Sequence, residues 1–233
     1  MNSIVDFPER VDIKTDDNVP FAEKILHKCR YELAVHLLKS KSSLKVLDAG
    51  CGTGYGAEMM AVMGSQVLAL DIDDKTILSN ELKYKNIKNL HFLKADLTQD
   101  TKLNFAPLAI TCFEVIEHIT KVNGIKLLKN FYKMLPSNGE LLISSPNRNL
   151  TNLLKKIMPD FNNPFHLYEY TAIELAEILL GIGFKSIEIY GQYPFLPILY
   201  LLTKKNRQMK WFYRPRKLLP HAICRYFVIR ARK

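Results

Sequence analysis

A chain of 233 residues, 48% hydrophobic and 24% charged, has the length of one large-cored domain and a globular composition, which excludes a disordered or membrane-spanning chain. The net charge of +10 is local, because 203–233 holds eleven Lys or Arg and no acid, leaving 22 basic against 23 acidic residues before it. The four cysteines, Cys29, Cys51, Cys112 and Cys224, form no C-x-x-C pair, which excludes a disulfide framework or a cysteine zinc site.

In chain order, Asp6, Glu9 and Asp12 break any basic-then-apolar export pattern, so the expectation is a cytoplasmic protein. A helix is predicted to start near Phe21, within an N-terminal helical cap over 1–40. The run Leu44–Leu47 ends in Asp48 and is followed by Gly50, Gly52, Gly54 and Gly56, which predicts strand, tight turn and helix. Further strands are predicted at 66–72, 90–95, 108–113, 140–144, 184–190 and 223–231. Helices fit between them at 57–63, 74–83, 121–135 and 171–181. This alternation predicts a doubly wound α/β sheet of right-handed βαβ units in one domain over 1–233. An insert is expected at 192–220, with an apolar stretch, Phe195 to Leu202, too short to cross a bilayer.

Ligands in such sheets bind beyond the carboxyl ends of the strands, where Asp48, Asp71, Asp96 and Glu114 all fall. Glycine suits a backbone that takes positive φ or lets a ligand approach closely. An acid ending the second strand can accept hydrogen bonds from both hydroxyls of a ribose, and Asp96 can reach an adenine amino group.

The run D-A-G-C-G-T-G, Asp48 to Gly54, resembles the first motif of class I S-adenosylmethionine (SAM)-dependent methyltransferases. With Asp71, Asp96 and the Glu114 segment in order, the resemblance covers roughly 20–192 and the last strand. It implies a seven-stranded, mostly parallel sheet with an antiparallel last strand. It also implies Gly50, Cys51 and Gly52 at the methionyl moiety, Asp71 and Ile72 at the ribose, and Asp96 and Leu97 at the adenine. Phe113 would lie near the sulfonium. Arg30, from an Arg30-Tyr31 pair, would cover the cofactor's carboxylate or else face solvent.

Glu114-Val115-Ile116-Glu117-His118 puts three oxygen and nitrogen ligands within five residues, a set suited to Mg²⁺ or to a softer ion such as Mn²⁺. The stretch resembles two methyltransferase branches. One is the ubiquinone-biosynthesis O-methyltransferases, which also share Ser145-Pro146-Asn147-Arg148-Asn149. The other is the small-RNA 3′-terminal 2′-O-methyltransferases, where a later histidine joins the metal; His166 has that place here. The segment Asn163-Pro164-Phe165-His166 resembles a third branch, acting in sugar and cell-surface glycan pathways. The candidate catalytic residues are His118, His166 and Glu117, since neutral imidazole can take a hydroxyl proton. The candidate metal ligands are Glu114, Glu117, His118 and His166.

The expected activity is O-methylation of a hydroxyl on a glycan, lipid-linked or other small-molecule acceptor. No N-P-P-Y-type motif follows the fourth strand, which argues against adenine or glutamine nitrogen as the nucleophile. The alternatives are metal-dependent RNA 2′-O-methylation and a SAM-binding protein without turnover. The basic, aromatic segment Lys204–Lys217 can meet anionic lipid, nucleic acid or an acidic substrate. The adjoining apolar octet favours lipid, so an anionic membrane surface is expected to contact 195–217 from the inner, cytoplasmic face.

Overall fold

The computed structural model describes residues 20–39, 44–99, 103–157, 163–194, 213–217 and 219–233. Seven strands form one sheet: β1 Lys45–Ala49, β2 Gln66–Asp71, β3 Leu90–Lys94, β4 Ala109–Phe113, β5 Glu140–Pro146, β6 Ser186–Pro194 and β7 Cys224–Arg232. Their order is β3-β2-β1-β4-β5-β7-β6. β1 to β5 run parallel, and β7 enters antiparallel between β5 and β6.

Among the described residues, six α-helices accompany the sheet: α1 Phe21–Leu38, α2 Tyr55–Val62, α3 Asp74–Lys83, α4 Lys121–Met134, α5 Arg148–Ile157 and α6 Ala172–Ile182. β4 is buried along its whole length, as a central parallel strand covered on both faces must be. The alternation of β7 serves both faces. Phe227, Ile229 and Ala231 join the core that includes Leu127, Phe131, Leu175 and Leu179, while Val228 joins the opposite core around α1 and α2. Among the described residues no helix is long and apolar enough to cross a membrane.

The end of β6 and the helix after β5 depart most from the sequence expectation. β6 runs to Pro194, so 192–194 is sheet and not insert: Gln192, Tyr193 and Pro194 are all buried, and Gln192 and Pro194 pair with Tyr226 and Cys224. α5 was not expected. Its start is built by Asn147, whose side chain accepts the Asn149 N–H at 3.3 Å and whose amide donates to the carbonyls of His221 and Cys224. That cap depends on residues more than 70 positions away, which no local pattern discloses. The apolar stretch 195–202 and the basic residues up to 212 lie outside the described residues. The end of the segment packs on the sheet edge, where buried Tyr213 stacks on Tyr193 at 5.4 Å and Arg216 bridges to Gly191.

Candidate active site

A cavity of about 770 Å³ opens along the carboxyl ends of the strands, near the upper end of the range for small-molecule sites, about 300–1,000 Å³. One half is made by the glycine loop. Gly50, Gly52 and Gly54 take φ of 74°, 50° and 76°, values that a Cβ disfavours. A Cβ on Gly50 would come within 2.4 Å of Val115 Cγ2, whereas one on Gly52 would meet nothing within 4 Å. The loop therefore packs tightly behind and leaves Gly52 bare towards the cavity.

The loop is held from α3, β2 and α1. Asn80 Nδ2 donates to the Gly52 carbonyl at 2.7 Å, and Tyr84 Oη to that of Thr53 at 3.0 Å. The Gly52 N–H donates to Asp71 Oδ2 at 3.0 Å, and the Asp73 N–H to Oδ1 at 3.1 Å. Tyr31 lies over Gly56 and meets Phe113 and Tyr55 edge-on at 5.0 and 5.3 Å. Asp96, past β3, accepts the Thr98 N–H and hydroxyl at 2.9 and 2.6 Å. Partial burial opposes its charge, but these donors outweigh that effect and hold the carboxyl below its ordinary value.

Gly50, Cys51, Gly52, Asp71, Ile72, Asp96, Leu97 and Phe113 all line this half; Asp48, Gly54 and Arg30 do not. Asp48 lies beneath the loop, accepting from Thr111 Oγ1 at 2.6 Å and Tyr31 Oη at 3.1 Å. Burial pushes its carboxyl from 3.8 up to about 7, against the pull of those donors. Because the folded value is the raised one, the stabilising contribution of the protonated form is lost as pH rises from about 4 to 7. Asp48→Asn should therefore gain stability relative to the parent, by a few kcal/mol at most, between pH 5 and 8. Thermal melts of the ligand-free proteins at the two pH values check this; a constant difference would contradict it.

Arg30 is a correction to both sequence expectations, because it neither faces solvent nor lines the cavity. It is fully buried, donating from Nε to Gln192 Oε1 at 2.8 Å, with Nη2 3.4 Å from Glu114 Oε2 and its guanidinium 4.5 Å from the Tyr226 ring centre. Burying a guanidinium requires such partners, and Gln192 is 162 positions away.

The other half of the cavity begins where β4 ends. Glu114 takes φ 55°; its Oε1 accepts the Ser144 hydroxyl at 2.7 Å and its Oε2 faces Arg30. It is thus separate from the three groups whose ligand atoms lie within 4.8 Å of one another, Glu117, His118 and His166. This corrects the four-residue metal set: the buried Arg30 draws the first glutamate away.

Glu117 is 1% exposed, and neither carboxylate oxygen has a hydrogen-bond partner among the described residues. Burial first, and then the charge of Glu114, hold its carboxyl well above the ordinary range. The Glu117 carbonyl accepts the Leu167 and Tyr168 N–H groups at 2.8 and 3.1 Å, which folds the 163–170 segment over this end. His118 Nδ1 lies 3.2 Å from the Phe165 carbonyl. A carbonyl only accepts, so Nδ1 carries the proton and Nε2 the lone pair.

For His166 the same reasoning puts the proton on Nδ1, 2.7 Å from Glu169 Oε1. Asn163 Oδ1 accepts the Phe165 N–H at 3.0 Å, so its Nδ2 is the atom donating to His166 Nε2 at 2.8 Å. The rings of His118 and His166 meet edge-on at 5.1 Å.

Thr171 caps α6 by accepting the Glu174 N–H at 3.1 Å. The Glu174 carboxylate does not complete a capping box. It binds Lys121 at 2.6 Å, Arg148 at 2.8 Å and Tyr168 Oη at 2.6 Å, tying α4, α5 and the segment bearing His166 together. The wall residues that sequence reasoning missed include Glu23, His27, Thr151, Glu169, Arg225 and Tyr226. Only Glu169, three positions from His166, had a signal in the local pattern.

The fold and the site define a class I SAM-dependent methyltransferase. A family model described as a methyltransferase domain matches residues 21–189, and the chain belongs to that family. A probable SAM-dependent methyltransferase of Mycobacterium tuberculosis is 31% identical over 146 residues, covering 63% of this chain and 50% of the relative. The chain spans about half the length of the mycobacterial relatives it matches. A ubiquinone biosynthesis O-methyltransferase of Rickettsia prowazekii is 30% identical over 199 residues, covering 80% of this chain and 70% of the relative. Among solved structures, the magnesium protoporphyrin IX methyltransferase of Synechocystis PCC 6803, with bound S-adenosylhomocysteine (SAH), superposes with a TM-score of 0.70 at 20% identity. It covers 95% of this chain and 91% of its own. The cofactor is SAM, and the bare Gly52 face with Asp71 and Asp96 beside it suits an adenosine with an amino-acid tail.

Proposed function

We propose that this chain methylates a hydroxyl group of a small-molecule acceptor, with SAM along the β1–β3 half of the cavity and the acceptor at the His118–His166 half. When bound, the cofactor supplies an electrophilic methyl group to the acceptor oxygen. Asp71 and Ile72 would hold the ribose, Asp96 and Leu97 the adenine, and Gly50, Cys51 and Gly52 the methionyl part.

The observation that carries the reading is His118. Its Nδ1 proton is committed to the Phe165 carbonyl, which makes Nε2 the ring's basic atom, and His118 lines the cavity wall where the acceptor would sit. His166 Nε2 already accepts from Asn163, which gives that ring an orienting role. A ubiquinone-biosynthesis relative that is named for O-methylation, 30% identical over 80% of this chain, supports an oxygen nucleophile. Fixing the two reactants side by side supplies much of the rate in such a transfer.

A second reading is favoured by one observation: the buried Glu117 carboxyl, without a hydrogen-bond partner among the described residues, within 4.8 Å of ligand atoms of two histidines. That donor set fits a divalent cation such as Mn²⁺ or Mg²⁺ held by Glu117, His118 and, once Asn163 gives up its hydrogen bond to Nε2, His166, which would lower the acceptor hydroxyl's pKa. The sequence reading joined this metal to RNA 2′-O-methylation.

The test is transfer of label from methyl-labelled SAM to a panel of catechols, hydroxylated sugars and RNA 3′ ends, before and after dialysis against EDTA. EDTA-insensitive label in an ether product is expected. Label that appears only on nitrogen would overturn hydroxyl methylation. Loss of turnover in EDTA, restored by Mn²⁺, would replace the imidazole base with the metal.

A further inference from the structure

We infer that the acceptor carries an anionic oxygen group, a carboxylate or phosphate, and that Arg225 on β7 binds it. The inference rests on the proposed placement of the acceptor half and deepens it. Six carboxyl side chains line the cavity: Glu23, Asp71, Asp96, Glu114, Glu117 and Glu169. Against them, among the described residues, stands one lysine or arginine, Arg225. A guanidinium brought into such a wall costs desolvation, and it suits the planar, two-oxygen groups that arginine recognises.

Its position in the sheet assigns it to the acceptor and not to the cofactor. Asp71 ends β2, and Gly50 and Asp96 follow β1 and β3. In the other direction the order is β4, β5, β7, with Tyr226 paired to Pro146 at the end of β5. β7 is three strands from β1, about 14 Å at about 4.8 Å per strand. Arg225 thus lies beyond the histidine side of β4, on the flank away from the glycine loop.

The corner is built to aim the guanidinium. Glu23 Oε1 meets Nη1 at 3.3 Å and Glu23 Oε2 lies 3.4 Å from Tyr226 Oη, while the guanidinium lies 5.1 Å from the Tyr226 ring centre. The Asn147 N–H donates to the Arg225 carbonyl at 2.9 Å, fixing the backbone beneath. His27, one turn after Glu23 on α1, lines the same corner. Burial and the charge of Arg30 hold it neutral, and its ring N–H can donate to an anion. An acceptor hydroxyl at His118 and an anionic group at Arg225 would pin the molecule at two points.

The experiment measures binding, by calorimetry in the presence of SAH, of two matched pairs: 3,4-dihydroxybenzoate against 3,4-dihydroxybenzamide, and glucose 6-phosphate against glucose. In the wild type, at least one anionic member should bind about tenfold more tightly than its neutral twin. Arg225→Ala should erase that difference, Arg225→Lys should keep part of it, and SAH affinity should stay unchanged. Glu23→Gln separates binding from bracing. Removing the internal competitor should widen the preference, whereas a purely structural ion pair would make Glu23→Gln and Arg225→Ala behave alike.

No preference in either pair, or matching losses in the two variants, would overturn the inference. So would an Arg225→Ala variant that loses SAH affinity while keeping the preference, since the cation would then serve the cofactor's carboxylate. Ether product formed without any anionic preference would refute the Arg225 site and leave the proposed function standing. Anionic preference without an ether product would do the reverse.

Discussion

Asp71→Ala should weaken SAH binding about 100-fold or more. In the ligand-free protein this carboxylate already accepts the Gly52 and Asp73 N–H groups at 3.0 and 3.1 Å, so it braces the loop against the end of β2. In the proposed complex it also takes the ribose hydroxyls. Each hydrogen bond to a charged group contributes about 1.5–3 kcal/mol, and losing two gives at least two powers of ten. Asp71→Asn keeps one acceptor oxygen and should lose about tenfold. Calorimetry with SAH reads both; a change of less than about fivefold for the alanine variant would mean that the ribose lies elsewhere.

His118→Ala should lower kcat by about 10²- to 10⁴-fold, the span of general-base catalysis, with SAH affinity preserved. The ring stands on the turn after β4, and its Nδ1 bond to the Phe165 carbonyl orients it. His166→Ala should behave differently. That ring is held between Asn163 and Glu169, so its loss loosens the 163–170 segment and should act mainly through the acceptor's KM. Steady-state kinetics in both substrates separates the two. Equal losses in kcat for both variants would favour the metal reading, in which the histidines act as one set.

The glycine loop, the acids at the ends of β2 and β3 and the alternation of strands and helices were legible because each is a local pattern. A run of β-branched and aliphatic residues followed by glycine signals a strand end wherever it occurs. Long-range partners were not legible. Arg30 looked like a cofactor or solvent group until Gln192 and Glu114 closed around it. Glu114 left the metal set for the same reason, and its positive φ has no sequence signature in a glutamate. Asn80 and Tyr84 read as ordinary positions in and after α3, yet they hold the loop's carbonyls. α5 escaped notice because its cap, Asn147, is fastened to the residues that begin β7. Arg225 read as one charge in a basic tail, and only the antiparallel entry of β7 carries it to the cavity.

The central claim is that the cavity has a cofactor half and an acceptor half that meet near the end of β4. A crystal structure of the complex with SAH tests it most directly. Ribose hydroxyls on Asp71, adenine beside Asp96 and Leu97, and the sulfur facing Glu117, His118 and His166 are the expected result. A sulfur turned away from that trio, or an adenine seated against Arg225 and Tyr226, would contradict it.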